Sequence, residues 1–340
     1  MLRQGRQKKM APEKIKAIAL LSGGLDSLLA AKLILEQGIE VIGLHFSTPF
    51  GEPTREVESI QKVAQNLGIE LVVLPKAEEF LELVRNPRFG YGKNLNPCVD
   101  CRIWTIQKAW EYAQEVGAQF IITGEVMGQR PKSQHKRELL IVDRESGISG
   151  RILRPLSAKL LPPTIPEQEG WVDREQLLDI SGRSRARQVE LGRAFGLIEE
   201  YYAGGGCPIC EKNYAAKMRD YLAHAQTINM REVWLLKVGR HFRFDDAKII
   251  VGRNQEDNNE LLEFAQESGV RFEVEGIGSP VTLLLGPQTD QTIQIAAALT
   301  ARYSDATGNQ VEVSYGAGAL DQRILVTPAD NDLIEEHRIG

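Results

Sequence analysis

Two groups of residues in this chain have types and spacings that could do chemistry. The first is Ser22-Gly23-Gly24-Leu25-Asp26-Ser27. Adjacent glycines free backbone N–H groups to converge on an anion, and a helix that starts at such a turn adds the field of its dipole. Ser22 and Ser27 can donate hydroxyl hydrogen bonds to the same oxygens, and Asp26 can hold a divalent cation or position phosphates. The run lacks the G-K-[ST] ending of a Walker loop and is not G-x-G-x-x-G, which argues against γ-phosphate transfer and dinucleotide binding. The second group is the four cysteines, Cys98-Val-Asp-Cys101 and Cys207-Pro-Ile-Cys210. Paired this way in a cytosolic chain, they point to metal, cluster or redox work rather than structural disulfides. The pairs are too far apart for a local zinc ribbon, so a shared site would have to be assembled by the tertiary fold. A zinc staple, an iron–sulfur cluster and a redox dithiol all stay open.

The surrounding residues say which elements must position these groups. Ile15–Leu21 reads as a strand running into the glycine turn, and Leu28–Glu36 as the helix leaving it. Ile39–Phe46, Glu70–Leu74 and Phe120–Thr123 are further strands, alternating with helices over Val57–Leu67, Leu81–Val84 and Ile103–Val116. This alternation predicts an α/β fold, a doubly wound parallel sheet with helices on both faces. Ligands gather beyond the carboxyl ends of such strands, where the glycine turn, His45 and Thr123-Gly124-Glu125 all fall. Asn96 reads as a helix N-cap and Pro97 as the first helical residue, which would put Cys98 and Cys101 on one face of a first turn that favours thiolate. The second cysteine pair follows Gly204-Gly205-Gly206, a run that lets the backbone come close to something bulky.

The six-residue turn resembles the PP-loop, S-G-G-x-D-S, of the N-type ATP pyrophosphatases (adenine nucleotide alpha hydrolase-like proteins), and matches it at every position. Asn96–Cys101, Thr123–Pro131, Arg154–Pro163, Gly170–Asp173, Gly182–Arg185 and Ala203–Cys207 resemble one group within it, the tRNA thiouridine synthetases of ThiI-like and MnmA-like type. Together the likeness covers residues 15–225. It implies an enzyme that cleaves ATP to AMP and pyrophosphate with Mg²⁺, adenylates a uridine carbonyl of tRNA and replaces the oxygen with sulfur, most simply as 4-thiouridine. Nucleotide contacts would then come from Ser22, Gly23, Gly24, Asp26, Ser27, His45 and Gly124. The cysteines also resemble those of the TtuA-type thiolases, which implies a [4Fe-4S] cluster on Cys98, Cys101 and Cys207, with Zn²⁺ as the alternative. Cys210 is a departure, readable as a fourth ligand or a persulfide carrier. Implied partners are tRNA and a sulfur donor, either sulfide or a cysteine desulfurase. The competing functions are another PP-loop ligase or nitrile synthase with a structural four-cysteine zinc site, and a non-catalytic RNA-binding module.

Charge divides the chain. Residues 255–340 hold 15 acidic and 4 basic side chains, leaving a net charge of +6 on the remainder. A polyanion is therefore expected on the first three-quarters. Candidate RNA contacts are Arg130, Lys132, Arg183, Arg185 and Arg187, the last three read as the start of a helix. A boundary near residues 227–231 divides a catalytic domain over 15–226, preceded by a basic tail over 1–14, from a smaller α+β domain over 230–330. Strands are expected there at Val233–Val238, Lys248–Val251, Val281–Leu285, Val311–Val313 and Arg323–Val326. Through Lys237–Arg243 and Ile250–Asn254 this domain resembles the NFACT-R class, which implies an RNA face at Arg240, Arg243 and Arg253. No apolar run reaches the ~18–20 residues of a membrane span, and the basic start lacks the apolar stretch of a signal peptide, so a cytoplasmic protein without a membrane partner is expected. The sequence allows a homodimer.

Overall fold

The computed structural model describes residues 14–48, 50, 53–131, 133–198 and 207–340. Five strands, β1 (Lys16–Leu20), β2 (Glu40–Ser47), β3 (Glu70–Pro75), β4 (Phe120–Thr123) and β5 (Ile152–Leu153), pair in parallel in the order β3-β2-β1-β4-β5. β1, β2 and β4 are buried almost end to end, as strands covered on both faces must be. The covering and connecting helices are α1 (Leu25–Leu35), α2 (Pro53–Leu67), α3 (Glu78–Arg85), α4 (Cys98–Glu115), α5 (Lys136–Glu145), α6 (Ile165–Gln168) and α7 (Ala186–Ala194). Ala17, Ala19, Phe120 and Ile122 of the sheet pack with Leu28, Leu29 and Ile34 of α1 in one core. A parallel sheet forces each helix to run back before the next strand can begin. The glycine turn after β1 and the start of α4, which leads into β4, therefore lie at the same carboxyl edge.

Two helix starts differ from expectation. α4 begins at Cys98, and Pro97, with ψ of 60°, is its cap residue rather than its first helical one. The Asn96 side-chain oxygen accepts from the Cys98 thiol at 3.1 Å. α7 begins at Ala186, so Arg183 and Arg185 precede the helix and Arg185 is its cap residue.

The chain divides into two compact units at Gly206/Cys207, about twenty residues ahead of the expected linker, and Lys93–Leu95 go with the second unit. That unit opens with α8 (Lys212–His224) and α9 (Met230–Leu235), followed by β6 (Arg240–Phe244), β7 (Ala247–Val251), α10 (Gln255–Ala265), β8 (Val270–Glu273), β9 (Thr282–Leu285), α11 (Asp290–Tyr303), β10 (Val311–Gly316), β11 (Gln322–Val326) and α12 (Asn331–His337). Its six strands form an antiparallel sheet in the order β11-β10-β8-β9-β7-β6. The strand expected at 233–238 is instead α9 and the turn after it. Asn229 caps this helix by accepting from the Arg231 N–H at 2.9 Å, and a short apolar run carries no periodicity that separates helix from strand. β8 and α12 were not foreseen. Among the described residues, no helix is long and apolar enough to cross a membrane.

Lys248 on β7 is buried beneath Tyr221, 3.8 Å from Asp220. Burial, reinforced by Arg243, lowers its pKa from 10.5 to about 8 against the pull of Asp220 and Glu232. Between those two values the unfolded chain binds the extra proton, so this lysine makes stability rise with pH. The melting temperature of the wild type relative to Lys248→Met should therefore increase from pH 8 to pH 10.5. A constant or falling difference would contradict this burial.

Candidate functional site

The glycine turn takes its shape from its own hydroxyls. Gly23 adopts φ of 74°, a left-handed conformation that glycine allows without strain. Ser27 Oγ donates to the Gly24 carbonyl at 2.8 Å and accepts from the Ser22 N–H at 3.3 Å, so that hydroxyl is used to fold the loop. No side chain caps α1. The Ser27 N–H donates to the Gly24 carbonyl at 3.1 Å, so it is the N–H groups of Leu25 and Asp26 that lack intrahelical acceptors and remain available to an anion. A Cβ on Gly24 would meet only Ser22 Oγ, at 3.5 Å, so the protein itself leaves that space open. Gly124, at the end of β4, is different: a Cβ there would lie 2.4 Å from the Ser27 nitrogen, so glycine is needed for β4 to abut the turn. His45, buried on β2, has Nδ1 2.9 Å from the Leu21 carbonyl. Because a carbonyl can only accept, Nδ1 carries the hydrogen, and the ring serves as a wall beside the turn.

Asp26 is held from two sides. Its Oδ2 accepts from Gln129 Nε2 at 2.7 Å, and Gln129 Oε1 accepts from Gln188 Nε2 at 2.9 Å. Its Oδ1 is shielded from solvent with no hydrogen-bond partner, while the Arg185 guanidinium stands 3.6 Å away. Gln129 and Gln188 were not among the expected site residues. Gln129 falls inside a motif that the sequence singles out, but nothing in spacing marks Gln188, which α7 brings to the turn.

Cys101 lies on the first turn of α4. Its Sγ accepts from Lys76 Nζ at 3.2 Å, and that ammonium sits 4.5 Å from the Phe80 ring centre and 5.8 Å from that of Trp104. Burial alone would raise the thiol pKa, but Lys76, Arg102 and the Thr105 hydroxyl outweigh it and lower the pKa. Lys76 was not foreseen; a lone lysine after a strand gives no signal until α4 folds onto it. Since Lys76 follows β3, the start of α4 lies near that strand, two places from β1 or roughly 10 Å in the hydrogen-bonding direction.

Glu125 pins this edge together. Fully buried, it accepts from Arg154 at 2.9 Å and from Thr123 at 3.2 Å, and stands 3.2 Å from Arg102; Arg154 in turn makes a two-pronged pair with Asp143 of α5. Burial opposes its ionisation, but Arg102 and Arg154 prevail and lower its pKa, whereas burial prevails at Asp143 and raises its pKa. Glu125 is therefore an ionic joint between β4, α4 and α5.

The other expected residues are scattered. Arg183 is exposed, and Arg187 pairs with Asp179 at 2.7 Å. The Arg130 backbone N–H donates to Gln134 at 3.0 Å, and Lys132 lies outside the described residues. In the second unit Arg243 is committed to Asp220 at 2.7 Å, Arg253 to Asp257 at 2.6 Å, and Arg240 lies over the Tyr303 ring at 4.5 Å. Those ion pairs neutralise much of the charge expected to face RNA. Asn94 Nδ2 donates to the Cys210 carbonyl at 2.6 Å. Each unit holds two of the four cysteines, and among the described residues no group of three or more His, Cys, Asp or Glu gathers at metal-ligating spacing.

Two outcomes follow. Glu125→Gln leaves Arg154 and Arg102 facing a neutral partner, and denaturant unfolding should show a loss of about 3–5 kcal/mol. Lys76→Met should slow iodoacetamide alkylation of Cys101 at pH 7 by leaving less of it as thiolate; an unchanged rate would mean the ammonium does not set its state.

Residues 13–159 match the family model described as "Thiamine biosynthesis protein (ThiI)", and residues 239–338 match the "NFACT protein RNA binding domain". The chain is 32% identical over 175 residues to a probable tRNA sulfurtransferase of Thermococcus kodakarensis, covering 49% of this chain and 40% of that protein. It is 36% identical over 115 residues to the tRNA-specific 2-thiouridylase MnmA of Nitratiruptor sp., covering 32% of this chain and 34% of that protein. The match thus spans only about a third to two-fifths of the length of these curated relatives. Among solved structures it is similar to a 4-thiouridine synthetase–RNA complex with bound ATP, at 20% identity and a TM-score of 0.42 over 64% of this chain and 53% of that one. It is also similar to the U34-tRNA thiolase NcsA of Methanococcus maripaludis with its [4Fe-4S] cluster, at 15% identity and a TM-score of 0.36 over 63% of this chain and 67% of that one. The parallel sheet with its glycine turn thus lies within the stretch that resembles the ThiI model, and the second unit holds the stretch that resembles the NFACT RNA binding domain.

Proposed function

We propose that this protein is an ATP-dependent tRNA sulfurtransferase that makes 4-thiouridine. The observation that carries the reading is the uncapped glycine turn, with Asp26 held beside it, on the same sheet edge as a thiol whose ionised form is favoured. Oxide is a very poor leaving group, so a uracil carbonyl resists exchange of its oxygen. Transfer of AMP to that oxygen, with release of pyrophosphate, lets it depart as AMP when sulfur attacks the ring carbon. The turn's N–H groups stabilise the pyrophosphate as its charge develops. His45 walls the nucleotide, and Asp26 offers the hard oxygen that Mg²⁺ prefers, alongside the phosphates whose charge that ion neutralises.

Cys98 and Cys101, with Cys207, are the proposed holders of a [4Fe-4S] cluster, and Cys210 is the spare thiol. The fit rests on Cys101, whose lowered pKa supplies the thiolate that iron requires. Such a cluster would supply the sulfur for the attack, and the sulfur donor is sulfide or a cysteine desulfurase. tRNA contacts are assigned to Arg130, Lys132, Arg183 and Arg187 in the first unit and to Arg240 in the second, with the chain working as a monomer or homodimer in the cytoplasm.

Mass spectrometry of tRNA nucleosides from a deletion strain tests the reading. We expect 4-thiouridine to vanish, to return with the wild-type gene and with Cys210→Ala, and to stay absent with Cys98→Ala, Cys101→Ala or Cys207→Ala. Unchanged 4-thiouridine in the deletion strain would overturn the substrate assignment. A colourless, zinc-loaded protein after anaerobic purification would overturn the cluster.

A further inference from the structure

Arg185 was grouped by sequence with the basic residues that face RNA, yet its guanidinium points back toward the glycine turn. We propose that Arg185 belongs to the nucleotide site, resting on Asp26 as a latch and moving onto pyrophosphate oxygens when a nucleotide enters. The inference rests on the reading of the turn as an ATP phosphate loop and adds to it a residue from a distant helix start.

The geometry is that of an incomplete pair. Arg185 stands 3.6 Å from Asp26 Oδ1, beyond hydrogen-bond reach, and that buried oxygen accepts no hydrogen bond. Asp26 does not depend on the arginine for its position. Gln129 holds its other oxygen, and Gln188, 0% exposed, holds Gln129. The relay is anchored because α7 packs on α1: a Cβ at Gly192 would come within 2.9 Å of Leu25 Cδ1. Arg185 can therefore leave while Asp26 stays in place.

A guanidinium has reason to leave. It makes no other ion pair among the described residues, and its side chain is 44% exposed, so it has room to turn. Its planar fork matches phosphate geometry, and pyrophosphate carries more charge than one carboxylate. Departure would also bare Asp26 Oδ1 when a phosphate-bound divalent cation needs an oxygen ligand. Entry of the nucleotide and completion of the cation site would then be one event.

Calorimetric titration of the full chain with inorganic pyrophosphate and Mg²⁺ tests the latch, using Arg185→Ala and Arg185→Lys. We expect Arg185→Ala to weaken pyrophosphate roughly tenfold to a hundredfold, the worth of one charge-assisted pair. Arg185→Lys, which keeps the charge without the fork, should fall between. Melting temperatures near that of the wild type would show that both variants fold, and tRNA affinity should keep the wild-type salt dependence. Wild-type pyrophosphate affinity in either folded variant would overturn the latch. So would a loss confined to tRNA binding with a shallower salt slope, which would return Arg185 to the RNA face. A wild-type protein that binds no pyrophosphate would instead overturn the phosphate-loop reading beneath it.

Discussion

The carboxyl edge of the parallel sheet is organised around a helix start that the protein leaves uncapped. α1 begins at Leu25 with no side-chain oxygen on its first N–H groups, and the hydroxyl that could have served, on Ser27, bonds to the Gly24 carbonyl instead. Open N–H groups at a helix start lower stability unless something else satisfies them. Around this opening the fold places a wall, His45, an acid, Asp26, and a close-packed backing at Gly124. Each is held by a contact that leaves the opening clear.

Charge is managed in two ways. Glu125, Arg154 and Asp143 form a buried network in which Arg154 bonds to both carboxylates, so it holds elements together. Asp26 and Arg185 form a pair left partly unmade. Lys76 shows a third arrangement, a cation caged by Phe80 and Trp104 and aimed at one sulfur.

Much of this was legible beforehand because it is local. The glycine turn, the strand before it and the helix after it occupy consecutive residues, and the alternation of strands and helices along 16–123 follows from short-range periodicity. The run at 233–238 was misread because a short apolar segment suits a buried helix or strand equally; Asn229 caps the helix that forms. Arg243 and Arg253 illustrate a different limit. Their positive charge is plain in the sequence, but its neutralisation by Asp220 and Asp257 depends on which residues the fold brings beside them.

The sequence alone determined the glycine turn, the parallel α/β class and the C-x-x-C spacing of the cysteines, since each is written in neighbouring residues whose backbone preferences act over a few bonds. Tertiary structure decided which groups meet. Gln129 and Gln188 are 103 and 162 positions from Asp26, and Lys76 is 25 from Cys101. Only the closing of the sheet and the packing of helices on it brings such residues together, because direct hydrogen bonds reach about 3 Å and carry no trace along the chain.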